Sequence, residues 1–171
     1  MKQSSAWIVQ VESDFAVAEI LFQKTDATTY CQAIAKYQQT VEKSVKAMVA
    51  AVNDLGSDLT VTASHLPTNE IDSLLRLRRV IDNVSVDRLA RIFKQHRAAI
   101  EGLCSLAPKW PEDGKSFARN TEYPFLVADT WTAPAVEGTF TLQEAINVQV
   151  TAQAFYKAAI DFVNSVKFGR L

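Results

Sequence analysis

Apolar residues recur every three or four positions through five stretches of this chain, the spacing that lines one side of a helix. The clearest stretch carries Tyr30, Ile34, Tyr37, Val41, Val45, Met48 and Val52. Thr29, with Gln32 three residues on, has the form of a capping box, and Gly56 supplies a residue that tolerates the left-handed turn at a helix C-terminus. The pattern therefore predicts a helix from Tyr30 to about Val52. An earlier helix spans about Gln3 to Gln23, with Ile8, Val11, Phe15, Ala18 and Phe22 on one face. A third begins at the N-cap Thr68, where Glu70 and Asp72 suit the positive end of the helix dipole, and ends near Asp82 and Asn83. A fourth starts at Ser85 and runs to about Leu106, stopped by Pro108 and the Trp110-Pro111 pair. The last opens at Thr141, where Glu144 completes a capping box, and presents Ala145, Val148, Ala152, Phe155, Ala159, Phe162 and Val166 on one face.

No alternating run of convincing length competes with these helices, so the fold class is all-α, an antiparallel bundle of four to five helices. The exception is the irregular region 108–140, a long aromatic-rich loop before the last helix. Trp110, Phe117, Tyr123, Phe125 and Trp131 predict that it is tied down by its own aromatics. It is expected to cross the bundle partly extended, with Tyr123-Pro124-Phe125 as an anchor.

The 171 residues suit one helical domain over 1–171, whose core needs neither metal nor disulfide. A composition that is 48% hydrophobic and 22% charged excludes disordered and collagen-like classes. Cys31 and Cys104 lie in predicted helices with no Cys or His at ligand spacing, which predicts two buried, reduced thiols and no metal. No cofactor is implied. No window is apolar over the length needed to cross a bilayer, so a cytoplasmic protein without a membrane partner is expected. A net charge of -1 argues against nonspecific nucleic-acid binding driven by bulk charge. Between positions 76 and 97, however, Arg76, Arg78, Arg79, Arg88, Arg91, Lys94 and Arg97 stand against only Asp82 and Asp87. That local excess is either a solvated face or one that meets phosphates.

Tyr30-Cys31 followed by Tyr37-Gln38-Gln39-Thr40-Val41-Glu42-Lys43-Ser44-Val45-Lys46-Ala47 resembles the signature helix of HEPN domains, small all-helical modules whose name refers to nucleotide binding. His65-Leu66, the run Phe117 to Pro124 and the opening of the terminal helix, Thr141 to Ala145, resemble later landmarks of that family in the same order. The resemblance covers most of the chain. It implies a noncatalytic nucleotide- or RNA-binding or protein-interaction module that forms a homodimer, with Lys43, Lys46, His65, Arg88, Arg91 and Arg119 as candidate contacts. It also implies an alternative, a metal-independent, toxin-like endoribonuclease silenced by a nucleotidyltransferase-type partner. HEPN ribonucleases carry an Arg followed a few residues later by a His, and Arg91-Ile92-Phe93-Lys94-Gln95-His96 matches that pattern. The imidazole would then move a proton at the ribose 2′-hydroxyl or the leaving oxygen, and the guanidinium would hold the scissile phosphate. A purely structural helical dimer is a third reading.

The residues themselves temper the ribonuclease alternative. The family places a polar residue after the Arg, whereas Ile92 is apolar. On an unbroken helix Arg91 and His96 point ~140° apart at ~100° per residue. Leu89, Phe93, His96, Ile100 and Leu103 form one stripe, which makes His96 a structural residue on the apolar face. Arg119 either recognises a phosphate or carboxylate or pins the long loop through Glu122 or Glu42. His65 either contacts a nucleotide near Lys43 and Lys46 or hydrogen-bonds a helix end. Gln38, Gln39, Glu42, Lys43 and Lys46 form a polar face opposite the apolar stripe, where Glu42 and Lys46 make an i,i+4 surface salt bridge. A Gly-rich phosphate loop, His-Glu-x-x-His and Gly-x-Ser-x-Gly are missing from the sequence.

Overall fold

In the computed structural model the described residues are 2–24, 26–59, 68–76, 83–107 and 118–167. They form α1 (Gln3–Gln23), a 3-10 turn (Ala27–Thr29), α2 (Tyr30–Asn53), α3 (Thr68–Arg76), α4 (Asn83–Ser105), a hairpin of β1 (Phe125–Val127) and β2 (Thr130–Thr132), and α5 (Leu142–Lys167). The class is all-α, as the periodicity predicts. No helix among the described residues is long and apolar enough to cross a membrane.

Side-chain contacts give the direction of each helix. Along α1, Ser4 reaches Asp54, Asp14 reaches Lys43 and Glu19 reaches Tyr37, so α1 and α2 run antiparallel. Phe15 stacks on Tyr156 and Glu19 accepts from Gln149, which makes α5 antiparallel to α1. Arg88 pairs with Asp161 and His96 with Thr151, so α4 and α5 are antiparallel as well. Helix α2 is the centre of the bundle, since 17 of its 24 residues are buried. One continuous core joins its Tyr37, Val41, Val45 and Met48 to Leu74 of α3, Leu89 and Ile100 of α4, and Phe155 and Phe162 of α5.

Helix ends follow local chemistry. Glu144 Oε2 accepts from the Thr141 backbone N–H at 2.8 Å, and Thr141 Oγ1 accepts from the Glu144 N–H at 3.2 Å, the predicted reciprocal capping box. Gly56 has φ +94°, the left-handed conformation its place after α2 requires, while space for a side chain is open around it. The predicted Thr29 box is not made. Thr29 Oγ1 instead donates to the Asp26 carbonyl, and the Asp26 carboxylate caps the preceding 3-10 turn by accepting from the Thr28 N–H at 2.9 Å. A shorter-range competitor captured the start of α2.

The loop before α5 is more ordered than its composition suggests. Asn120 Oδ1 accepts from the N–H groups of Glu122 and Tyr123, folding the chain into the hairpin, in which Leu126 faces Trp131. Ala128 (φ 46°) and Asp129 (φ 63°) occupy its two-residue turn, both left-handed as a type I′ turn demands. Phe125 and Phe140 anchor the segment in the interior. Tyr123 and Trp131, expected to help, are exposed, and Trp110 and Phe117 lie outside the described residues. Cys31 and Cys104 are buried free thiols, the Cys31 thiol pushed up by burial.

Candidate functional site

The cations singled out in the sequence fall into two environments. On α2 they turn inward. Asp14 of α1, only 3% exposed, lies between Lys36 and Lys43, with Lys36 Nζ at 3.3 Å and also donating to Gln39 Oε1 at 2.9 Å. Lys46 pairs with Glu42 and rests over the Trp7 ring, 5.6 Å from its centroid. The Glu42–Lys46 pair predicted at the surface is about nine-tenths buried, and Gln38 is buried beside it. The face opposite the α2 apolar stripe is thus covered by α1, and the Lys43 and Lys46 ammonium groups are held by carboxylates within the chain.

Deeper in the same seam, Glu19 Oε1 accepts from the Tyr37 hydroxyl at 2.6 Å and from Gln149 Nε2 at 2.8 Å, joining α1, α2 and α5. Burial, and then the neighbouring Glu19 carboxylate, push the Tyr37 phenol far above its ordinary range, so it stays protonated and donates. The seam is a set of matched charges and hydrogen bonds that fixes how three helices meet.

Helix α4 presents the opposite arrangement. Asp87, Ala90, Arg91 and Lys94 follow i, i+3, i+4, i+7 spacing and line one depression of about 400 Å³. Arg91 and Lys94 are exposed, and neither is paired with a carboxylate among the described residues; Arg91 Nε donates only to the Asp87 carbonyl, at 3.4 Å. Arg88 and Arg97 flank them, each with an exposed acidic partner, Asp161 and Glu101 respectively. Such surface pairs are weak, so both guanidinium groups stay available to an external anion. Arg76, at the end of α3, is exposed; Arg78, Arg79 and His65 lie outside the described residues.

The structure does not bring Arg91 and His96 together within the chain. His96 turns toward α5, where its Nδ1 lies 3.3 Å from Thr151 Oγ1. That hydroxyl donates to the Asn147 carbonyl at 3.1 Å, so it accepts the Nδ1–H of a neutral imidazole and leaves Nε2 as the acceptor nitrogen. Burial lowers the His96 pKa, favouring that neutral ring. His96 is half-buried, in line with its place in the apolar stripe.

Arg119 is a loop anchor with partners other than those expected. Its Nη2 donates to the Thr139 carbonyl at 2.6 Å and to Glu144 Oε1 at 2.8 Å, and its guanidinium lies 4.2 Å from the Phe140 centroid. Neither Glu122 nor Glu42 holds it. Burial would raise the Glu144 carboxyl, but the bonds from Thr141 and Arg119 outweigh it and hold the group below its usual range. A separate pocket of about 490 Å³ lies between the α1–α2 corner and the loop, walled by Leu21, Ala35, Pro124, Ala133 and Pro134. Thr121 borders it, with a buried hydroxyl that has no partner among the described residues.

Asp14 was the residue that motif reasoning missed. Its signal was present: it stands three residues after Val11 and four before Ala18, on the apolar stripe of α1, where a carboxylate demands a cation from a neighbour. Comparison of the chain with protein-family models, with curated proteins and with solved structures finds no match.

Proposed function

We propose that the protein is a HEPN-like helical module that binds the phosphate groups of RNA or a nucleotide through the outer face of α4, without cleaving them. The observation that carries this reading is the exposed pair Arg91 and Lys94, in no ion pair among the described residues and lining one depression with Asp87, whereas Lys36, Lys43 and Lys46 on α2 are each paired with a carboxylate. A guanidinium supplies a planar fork for phosphate oxygens and the lysine adds a point charge one turn away. Arg88 and Arg97 extend the same positive field along the helix. The separation of Arg91 from His96 supports binding without cleavage, because the imidazole is engaged with Thr151 of α5 rather than with the depression that Arg91 lines.

The test is binding of a fluorescently labelled single-stranded RNA at graded salt. Two phosphate contacts would lower the affinity roughly sevenfold between about 50 and 200 mM salt, at a slope of about -0.7 per contact. Charge reversal of Arg91 and Lys94 to Glu should abolish binding. Lack of binding at the lowest salt, or binding indifferent to that reversal, overturns the reading. The ribonuclease alternative is separated by incubating RNA with the protein in excess EDTA: cleavage that a folded His96→Ala variant loses would replace the binding reading with the catalytic one.

A further inference from the structure

The pocket between the first turns of α2 and the loop before α5 differs in chemistry from the depression on α4. Its volume of about 490 Å³ lies in the range of small-molecule sites, roughly 300–1,000 Å³. Leu21, Ala35, Pro124, Ala133 and Pro134 wall it with short, apolar side chains. Two hydrogen-bond donors border those walls. Lys36 lines the pocket with its side chain 35% exposed, and its Nζ shares the Asp14 carboxylate with Lys43. The Lys36 contact, at 3.3 Å, is the longer of the two, against 2.5 Å for Lys43. One carboxylate against two ammonium groups leaves a positive charge over among these three residues, and Lys36 is the one that meets the pocket. Thr121 is the second donor: it is 4% exposed, and its hydroxyl has no partner among the described residues. A buried hydroxyl without a partner is costly, and an acceptor supplied from outside the chain removes that cost.

We propose that this pocket binds a small monocarboxylate with an apolar chain, its carboxylate received by Lys36 and Thr121 and its chain lying against the alanine and proline walls. A carboxylate brings one negative charge and two acceptor oxygens, which matches one surplus ammonium and one unpartnered hydroxyl. A neutral apolar molecule would fill the walls and give Lys36 no counter-charge. A phosphomonoester would bring a second negative charge to a pocket that the exposed Glu122 also lines, and like charges in one site repel. Taking up the ligand does not strand the buried acid, because Asp14 keeps Lys43 when Lys36 turns to the carboxylate. The pocket shares no described residue with the depression on α4, so the inference stands independently of phosphate binding.

The test is titration calorimetry of the full chain with three probes that share one chain length: octanoate, octanol and octyl phosphate, each below its micellar concentration. Octanoate should bind at one site per chain, and the neutral and the doubly charged probes roughly tenfold more weakly. Lys36→Met should bring octanoate down to the affinity of octanol. Thr121→Val should weaken octanoate roughly fivefold without lowering the melting temperature, because it deletes a bond that the free protein does not make. Glu122→Gln should narrow the gap between octyl phosphate and octanoate. Lys36 also contacts Asp14, so a variant away from that seam is needed: Ala133 is exposed, and Ala133→Trp should fill the pocket and abolish octanoate binding while keeping the wild-type circular dichroism spectrum. Absence of octanoate binding to the wild type, octanol binding as tightly as octanoate, or octanoate binding indifferent to both Lys36→Met and Ala133→Trp would each overturn the proposal.

Discussion

Helices α2 and α4 both carry three or more cations at helical spacing, yet the fold treats them in opposite ways. On α2, Lys36 and Lys43 converge on the buried Asp14 and Lys46 on Glu42, within a seam that α1 closes. On α4, Arg91 and Lys94 face solvent in no ion pair among the described residues, beside the weak exposed pairs of Arg88 and Arg97. A lysine run has no fixed meaning; what decides is whether the packed neighbour supplies an acid. The family resemblance points first to the α2 cations, and the structure directs attention to those on α4.

The comparison breaks most severely at Asp14. Asp14→Ala removes the carboxylate that Lys36 and Lys43 share, leaving Lys36 only Gln39, and should cost about 1.5 to 3 kcal/mol in urea unfolding, the range for lost hydrogen bonds to charged groups. Loss of Tyr37's hydroxyl in Tyr37→Phe should cost about 1 to 1.5 kcal/mol, because Glu19 keeps Gln149 but loses its shorter bond. That substitution has a pH signature. The folded-state pKa of Tyr37 is raised, so above pH ~10 the unfolded chain releases a proton that the folded chain retains, and stability falls as pH rises. Thermal melts of the wild type should decline more steeply above that pH than those of Tyr37→Phe.

His96 gives a smaller effect of opposite sign. Its folded-state pKa is lowered by burial, so its contribution is complete above pH ~6.5 and fades as pH falls below that value. A His96→Gln variant should show a flatter acid arm in the same melts. The smallest stability effect is expected on α4: replacing both Arg91 and Lys94 with Ala should leave the unfolding midpoint unchanged. A marked loss there would mean that these side chains also hold the fold, and the contrast between the two helices would fail.

Much of the helical frame could be read from spacing. Both ends of α1, the Gly56 turn and the Thr141–Glu144 box are local features, and local features leave local patterns. Placing His96 on the Leu89–Leu103 stripe anticipated its half-burial against α5. The losses have identifiable causes. Strands of three residues are too short for a period of two to register, and an Ala128-Asp129 turn lacks the glycine that marks a tight hairpin. The Thr29–Gln32 pattern has the form of a cap, but Asp26, outside that pattern, competes for the same turn. The polar side of α2 looks exposed from spacing because the acid opposite it lies on another helix, and spacing along one helix does not show what packs across from it. For the same reason Arg119 was expected to meet Glu122 or Glu42, when its carboxylate comes from the first turn of α5.

The most direct test sets the two helices against each other in one assay, the affinity for single-stranded RNA at low salt of Lys43→Met beside that of the double Arg91→Ala, Lys94→Ala variant, both confirmed folded. The account predicts that Lys43→Met binds like the wild type and that the α4 variant loses at least tenfold, the equivalent of about 1.4 kcal/mol. RNA affinity that falls with Lys43→Met and survives the α4 substitutions would contradict it.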